Sequence, residues 1–134
     1  MSHSTMYYMV TKSEKDDLYE KLLLELRRGI LILAVLSQLH EKQYGYALKQ
    51  ALDEKGLEIN EGTLYPLLRR LESQGLLESD WEVVDDARPR RYYRISPAGE
   101  TIYSNLTREW QSIGIVMDHL LFGLSGDDKW KLMN

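Results

Sequence analysis

The sequence predicts a mainly α chain with one small β-hairpin, and three observations carry that expectation. Apolar residues recur at helical spacing around Leu18–Leu26, Leu48–Leu52 and Leu64–Leu71. Between Leu77 and Ile95 the pattern changes to short β-favouring runs around a charged loop. After Ser96 one long amphipathic run continues to about Leu121. The 134 residues suit one domain with a helical appendage. Hydrophobic residues at 43% and charged residues at 28% are ordinary globular usage, which excludes a wholly disordered chain. The expected division is a flexible arm over 1–12, a main domain over 13–95, and a terminal helix with its tail over 96–134.

Residues 1–12 show no sustained period. Ser13 is read as the cap of a first helix, with Glu14, Asp16 and Asp17 in early turns where acids favour the dipole. Leu18, Leu22 and Leu26 then share a face, with Tyr19 and Leu23 beside them. Gly29 marks a hinge or a break. Ile30–Leu36 is apolar on every side; its helical flanks and Ala34 favour a buried helix over a strand. Tyr44-Gly45-Tyr46 reads as a turn. A helix follows from about Ala47 to Lys55 and stops at Gly56. The next helix starts at Asn60 or Thr63. With Asn60 as cap, Pro66 removes an interior backbone bond. With Thr63 as cap, Pro66 is the third helical residue and removes none, so both starts stay open. Leu64, Leu67, Leu68 and Leu71 lie on one side, and Gly75 ends the helix. Strands are expected over Leu77–Val84 and Arg91–Ile95, flanking the loop DDARPR, with Trp81, Val83 and Tyr93 as β-favouring residues. Ser96-Pro97 is a helix start, a cap followed by proline at the first position. In the last helix Ile102, Leu106, Trp110, Ile113, Met117 and Leu120 recur at intervals of 4, 4, 3, 4 and 3, a heptad-like seam. Gly123 to Asn134 reads as a short polar tail.

Three helices, a two-stranded hairpin and a long helix make a winged helix-turn-helix with an N-terminal helix and a long C-terminal helix as its extension. At 100° per residue the four leucines of the third helix face inward. Gly62, Pro66, Arg69 and Ser73 then point outward, with Tyr65 and Arg70 on the flanks. Gly62 allows close approach to a surface. Arg69 suits a guanine edge or a phosphate, and Thr63 with the first-turn amides suits a phosphate. In the wing, Arg88, Arg90 and Arg91 suit the DNA backbone or a minor groove. Tyr44 and Tyr46 in the preceding turn, with Lys49 in the helix that follows it, complete the candidate DNA-binding set.

Charge sharpens this reading. The net charge of −4 argues against indiscriminate nucleic-acid binding. Yet Arg88 to Arg94 carries four arginines and no acid, a basic patch on an acidic chain. No cysteine is present, so thiol nucleophiles, disulfides and thiolate metal sites are excluded. His3, His40 and His119 lie far apart with no metal-ligand spacing, so neither a metal nor a cofactor is expected. His40 is read as ending a helix, where a cation suits the dipole, and His119 as a surface residue of the last helix. No G-x-S-x-G and no phosphate-cradling glycine loop occurs, which argues against an enzyme. No apolar run approaches the roughly 20 residues that cross a bilayer, and no secretory signal stretch opens the chain. A cytoplasmic protein is the expectation.

The motifs carry a resemblance. Gly45-Tyr46-Ala47-Leu48, GTLYPLLRRLESQGLL (Gly62 to Leu77), Trp81 and RRYYRISPAGE (Arg90 to Glu100) resemble the PadR family of bacterial transcriptional regulators. The match runs from Arg27 to Glu100, more than half of the chain, and its paired segments are highly specific. The resemblance implies a homodimer that binds double-stranded DNA at a palindromic operator and usually represses. It implies dimerisation through the N- and C-terminal helices, and the single C-terminal helix looks like the compact branch of the family. The heptad seam agrees, because it needs a partner to cover it. The resemblance further implies one of two roles for Trp110: stacking on a small aromatic or hydrophobic effector at the dimer centre, or serving simply as a large interface anchor. Leu18, Leu22, Leu106, Ile113, Met117 and Leu120 complete that interface set. Two features depart from the family pattern. The extension before Lys15 is longer than a minimal member needs, and Asp85 and Asp86 oppose the wing's arginines. A winged-helix protein-interaction module without sequence-specific DNA binding is the competing reading. The acidic balance favours it, and the arginines gathered on one side oppose it.

Overall fold

The computed structural model describes residues 11–83, 85 and 88–124. Helix α1 (Lys12–Ser37) is continuous over 26 residues. Its cap is Thr11 rather than Ser13. Thr11 Oγ1 accepts from the Glu14 amide at 3.1 Å, and the Glu14 carboxylate accepts from the Thr11 amide at 2.9 Å. This reciprocal box satisfies two amides at once, which a cap at Ser13 would leave unpaired. The arm expected over 1–12 therefore gives up Thr11 and Lys12, and residues 1–10 lie outside the described part. Gly29 sits inside α1 and breaks nothing; one glycine costs a helix only about 1 kcal/mol. Ile30–Leu36 is helical, but only Leu31, Val35 and Leu36 are buried. The chain's own elements cover one side of that run and leave the rest half-exposed. α1 ends before His40, which stands beyond the Gln38 cap. His40 Nδ1 lies 2.9 Å from Glu100 Oε1, and its ring meets Tyr103 edge-on at 4.8 Å.

Strand β1 (Gln43–Tyr44) and helix α2 (Gly45–Glu54) replace the turn expected at Tyr44–Tyr46. The sheet is completed by β2 (Leu77–Glu82) and β3 (Arg90–Ile95), in the order β1-β3-β2 and antiparallel throughout. Tyr44 pairs with Tyr92, and Trp81 with Arg91. The expected hairpin is thus joined by a third strand. Two residues are too few for alternation to register, and β1 exists only because β3 offers it an edge. β2 stops at Glu82, and β3 begins one residue earlier than expected. Val84, to which β2 was expected to run, lies outside the described residues.

Helix α3 (Glu61–Ser73) resolves the two open starts. Asn60 is the cap, its side-chain oxygen accepting from the Thr63 amide at 2.8 Å. Pro66 is therefore interior and has no amide to offer the Gly62 carbonyl one turn back. Gly56 and Gly75 follow α2 and α3 with φ of +95° and +81°. At the end of α3 the Leu76 amide returns to the Leu71 carbonyl at 3.0 Å, closing a Schellman turn.

Helix α4 (Pro97–Phe122) starts as expected, with Ser96 accepting from the Gly99 amide at 3.0 Å. The same hydroxyl donates to the Gly75 carbonyl at 2.6 Å and ties α4 to the end of α3. α4 reaches Phe122, one residue past the expected end. Of the tail, residues 125–134 lie outside the described part. The core joins Leu36, Leu39, Leu48, Leu64, Leu68 and Leu71, closed from the sheet by Leu77, Tyr93 and Ile95. Among the described residues no helix is long and apolar enough to cross a membrane.

Candidate nucleic-acid interface

α3 turns its four leucines into the core and leaves Gly62, Thr63, Pro66, Arg69 and Arg70 exposed. The phase expected from 3.6 residues per turn is the one observed. Tyr65 is half-buried on the flank, packed against Gly45; a Cβ built at Gly45 would stand 2.7 Å from the Tyr65 ring. That close approach brings the start of α2 onto α3. Burial pushes the Tyr65 and Tyr93 phenols up from their ordinary values, so both remain neutral donors at neutral pH.

A cleft of about 340 Å³ opens between α3, the start of α2 and the wing. It brings together Tyr44, Tyr46, Tyr65, Arg69, Arg90 and Arg91 from the expected set. Gly45, Trp81 and Tyr93 complete its lining. In the sequence alone, Trp81 stands out only as a strand former and as part of a motif. Strand alternation carried a stronger signal: Leu77, Ser79 and Trp81 share a face, cross-strand from Ile95, Tyr93 and Arg91. Trp81 is the outermost residue of that face and is 66% exposed.

The arginines have different partners. Arg91 is engaged internally: Nη2 lies 2.5 Å from Glu72 Oε1, and Nε donates to Ser79 Oγ at 3.0 Å. Ser79 in turn donates to Glu72. This cluster fastens the wing to the C-terminal half of α3. The Arg90 guanidinium stacks over Tyr44 at 4.5 Å, and Tyr44 meets Tyr92 edge-on at 5.7 Å. Arg94, at the base of the wing, pairs with Glu78 at 3.0 Å. Among the described residues Arg69, Arg70, Arg88 and Arg90 form no ion pair.

Other expected residues lie apart from the cleft. Lys49 Nζ contacts Asp53 Oδ2 at 2.6 Å, in a second depression shared with Arg27 and Asn60. At the α3 N-terminus the Thr63 amide is held by Asn60, and Glu61 adds a negative charge to the first turn. Both features lessen the attraction of that terminus for a phosphate. Arg70 and Arg88 are exposed outside the cleft lining.

The model of the transcriptional regulator PadR-like family matches residues 32–105. This chain belongs to the PadR-like family. It is a DNA-binding transcriptional regulator. The structure of a PadR family transcriptional regulator from Eggerthella lenta is 44% identical, with a TM-score of 0.72 over 82% of this chain and 97% of that one. A PadR-like transcription factor from Bacteroides fragilis is 33% identical, with a TM-score of 0.65 over 75% of this chain and 98% of its own. The transcriptional regulator Rv3488 of Mycobacterium tuberculosis is 43% identical over 76 residues, 56% of this chain and 70% of that protein.

In this PadR-like chain the heptad seam is uncovered. Leu106, Trp110, Ile113, Met117 and Leu120 are exposed along α4, as are Leu18 and Leu22 on the N-terminal half of α1. Trp110 borders a groove of about 230 Å³ between α1 and α4, lined also by Ile30, Leu33, Ala34, Ser37, Tyr103 and Thr107. Among the described residues no cluster of His, Cys, Asp or Glu is placed to hold a metal ion.

Proposed function

We propose that this PadR-like regulator binds a palindromic operator as a homodimer, represses transcription there, and is released by a small aromatic or hydrophobic ligand at the dimer seam. The observation that carries this reading is the pairing of two unused surfaces on one chain. One is the α3 face and wing, where Arg69, Arg70, Arg88 and Arg90 form no ion pair among the described residues. The other is the apolar seam of α4 and α1. Monomeric proteins rarely keep a continuous apolar face of that length in water. A two-fold axis through the seam gives two α3 helices, which enter successive major grooves about 34–36 Å apart. Tyr44, Tyr46, Gly62, Thr63 and Tyr65 border the surface that meets DNA, and Lys49 contributes once it leaves Asp53. The ligand acts by favouring one spacing of the two α3 helices over the other. With a coupling of about 1–3 kcal/mol, release amounts to about 5- to 150-fold. A regulator of this kind works beside the chromosome, in the cytoplasm.

The test is selection of random duplex DNA by the purified protein at near-physiological salt. Enrichment of an inverted repeat is expected. A folded, dimeric protein that enriches no sequence overturns the reading in favour of a protein-interaction module.

A further inference from the structure

A duplex that receives α3 in one groove and the wing in the next passes one backbone strand across the ground between them. That ground is the 340 Å³ cleft. Its lining is unusual for a phosphate track, which cations and amides would dominate. Trp81 stands 66% exposed on the wing side, and Tyr46 and Tyr65 stand on the helical side. Arg90 lies at the edge, held over the Tyr44 ring at 4.5 Å and outside any ion pair among the described residues. The exposed faces of Trp81 and Tyr46 beside a cation complement a deoxyribose–phosphate unit, whose sugar is largely apolar and whose phosphate is anionic.

Resting on the DNA-binding reading above, we propose that this cleft seats one sugar–phosphate unit of the strand dividing the two grooves. Trp81 is the apolar wall for the sugar, and Arg90 holds the adjoining phosphate. Arg91 does not touch DNA. Its guanidinium is committed to Glu72 and Ser79, and it lies 5.8 Å from the Trp81 ring centre and 5.3 Å from that of Tyr93. It is a positioning residue that holds the Trp81 wall against the end of α3.

The two kinds of contact separate by salt. Each phosphate neutralised releases counterions, so its loss flattens the salt dependence; an apolar contact with sugar releases none. The experiment is fluorescence anisotropy of the full chain on a labelled duplex recovered by selection, from about 50 to about 300 mM KCl. Trp81→Ala is expected to raise Kd about tenfold with an unchanged slope. Trp81→Phe is expected to regain most of that loss. Arg90→Ala is expected to weaken binding and reduce the slope by about 1. Should Trp81→Ala lose cooperative thermal unfolding, Trp81→Leu takes its place, with an expected loss of about threefold at unchanged slope. Wild-type affinity in the Trp81 variant across the salt range overturns the proposal and leaves the cleft to another occupant. So does a loss accompanied by the slope change of Arg90→Ala, which would make Trp81 only a support for an arginine. Failure of the wild-type protein to bind any duplex overturns the DNA-binding reading itself, and is read without any variant.

Discussion

Arg69, Arg90 and Arg91 lie around one cleft, but their neighbours give them different freedom. Arg91 is tied to Glu72 and Ser79, Arg90 rests on Tyr44, and Arg69 projects from the exposed face of α3. Under the proposed function, Arg69 is the α3 side chain that reads a base. Arg69→Ala should cost about 1–3 kcal/mol in operator binding and relax preference at one position of the site. Repeating the selection with the variant checks both. Asp53 tests a contact inside the domain. It accepts from Lys49 Nζ at 2.6 Å and from the Ile59 amide at 3.1 Å, and together these hold its carboxyl below the ordinary range. A lowered folded pKa means that the contact favours the folded state above the ordinary aspartate value of about 4. That contribution is lost as pH falls through the lower folded value. Asp53→Asn should therefore reduce the melting temperature at neutral pH and soften its decline below about pH 4. Melts followed by circular dichroism across that range measure both effects. Lys49 and Arg91 illustrate what residue type alone hides. A basic side chain in a DNA-facing segment looks available until its acidic partner is placed beside it. Those partners are 4 residues away for Lys49 and 19 for Arg91.

The start of α4 shows how one element is set by another. A Cβ built at Gly99 would lie 2.2 Å from the Leu76 carbonyl oxygen, a backbone atom that cannot step aside. Gly99→Ala should destabilise the protein by about 1–3 kcal/mol or more, read as a lower urea midpoint. The same substitution at Gly29, where an added Cβ meets nothing within 4 Å, should be neutral or stabilising. The sequence located both ends of α4 to within a residue, because the Ser96-Pro97 start and the end of the apolar seam at Leu120 are local signals. It also located the ends of α3, except for the choice between Asn60 and Thr63. Pro66 left that choice open, since a proline is tolerated early in a helix and costly later. The Asn60 bond to the Thr63 amide decided it. β1 was not legible, since two residues become a strand only when β3 lies beside them. The cap at Thr11 was legible in principle, as a Thr-x-x-Glu box ahead of an apolar run. Ser13, with acids following it, gave the stronger single-residue signal.

At the scale of the whole molecule, the proposed dimer rests on the α4 seam. Ile113 is 51% exposed in the single chain and lies in the middle of the seam. Ile113→Asp should leave the winged helix folded, convert a dimer to monomers in sedimentation equilibrium, and weaken operator binding by removing the second α3 helix. A dimer that persists in this variant would place the interface elsewhere. The groove beside Trp110 adjoins the same seam. In the proposed dimer, a ligand lodged there would touch both the seam and the spacing of the two α3 helices.

The sequence by itself determined the helices, the buried faces of α2 and α3, the wing and the family, because periodicity, caps and paired motifs are local or nearly so. It also determined which face of α3 is exposed, since 3.6 residues per turn leaves no other phase for four inward leucines. Only the tertiary structure decided that Arg91 is bound to Glu72, that Tyr44 supports Arg90, and that Trp81 completes a cleft with α3. Each of those facts joins residues from different elements. Their distance in space is fixed by core packing, which no single segment of the sequence encodes.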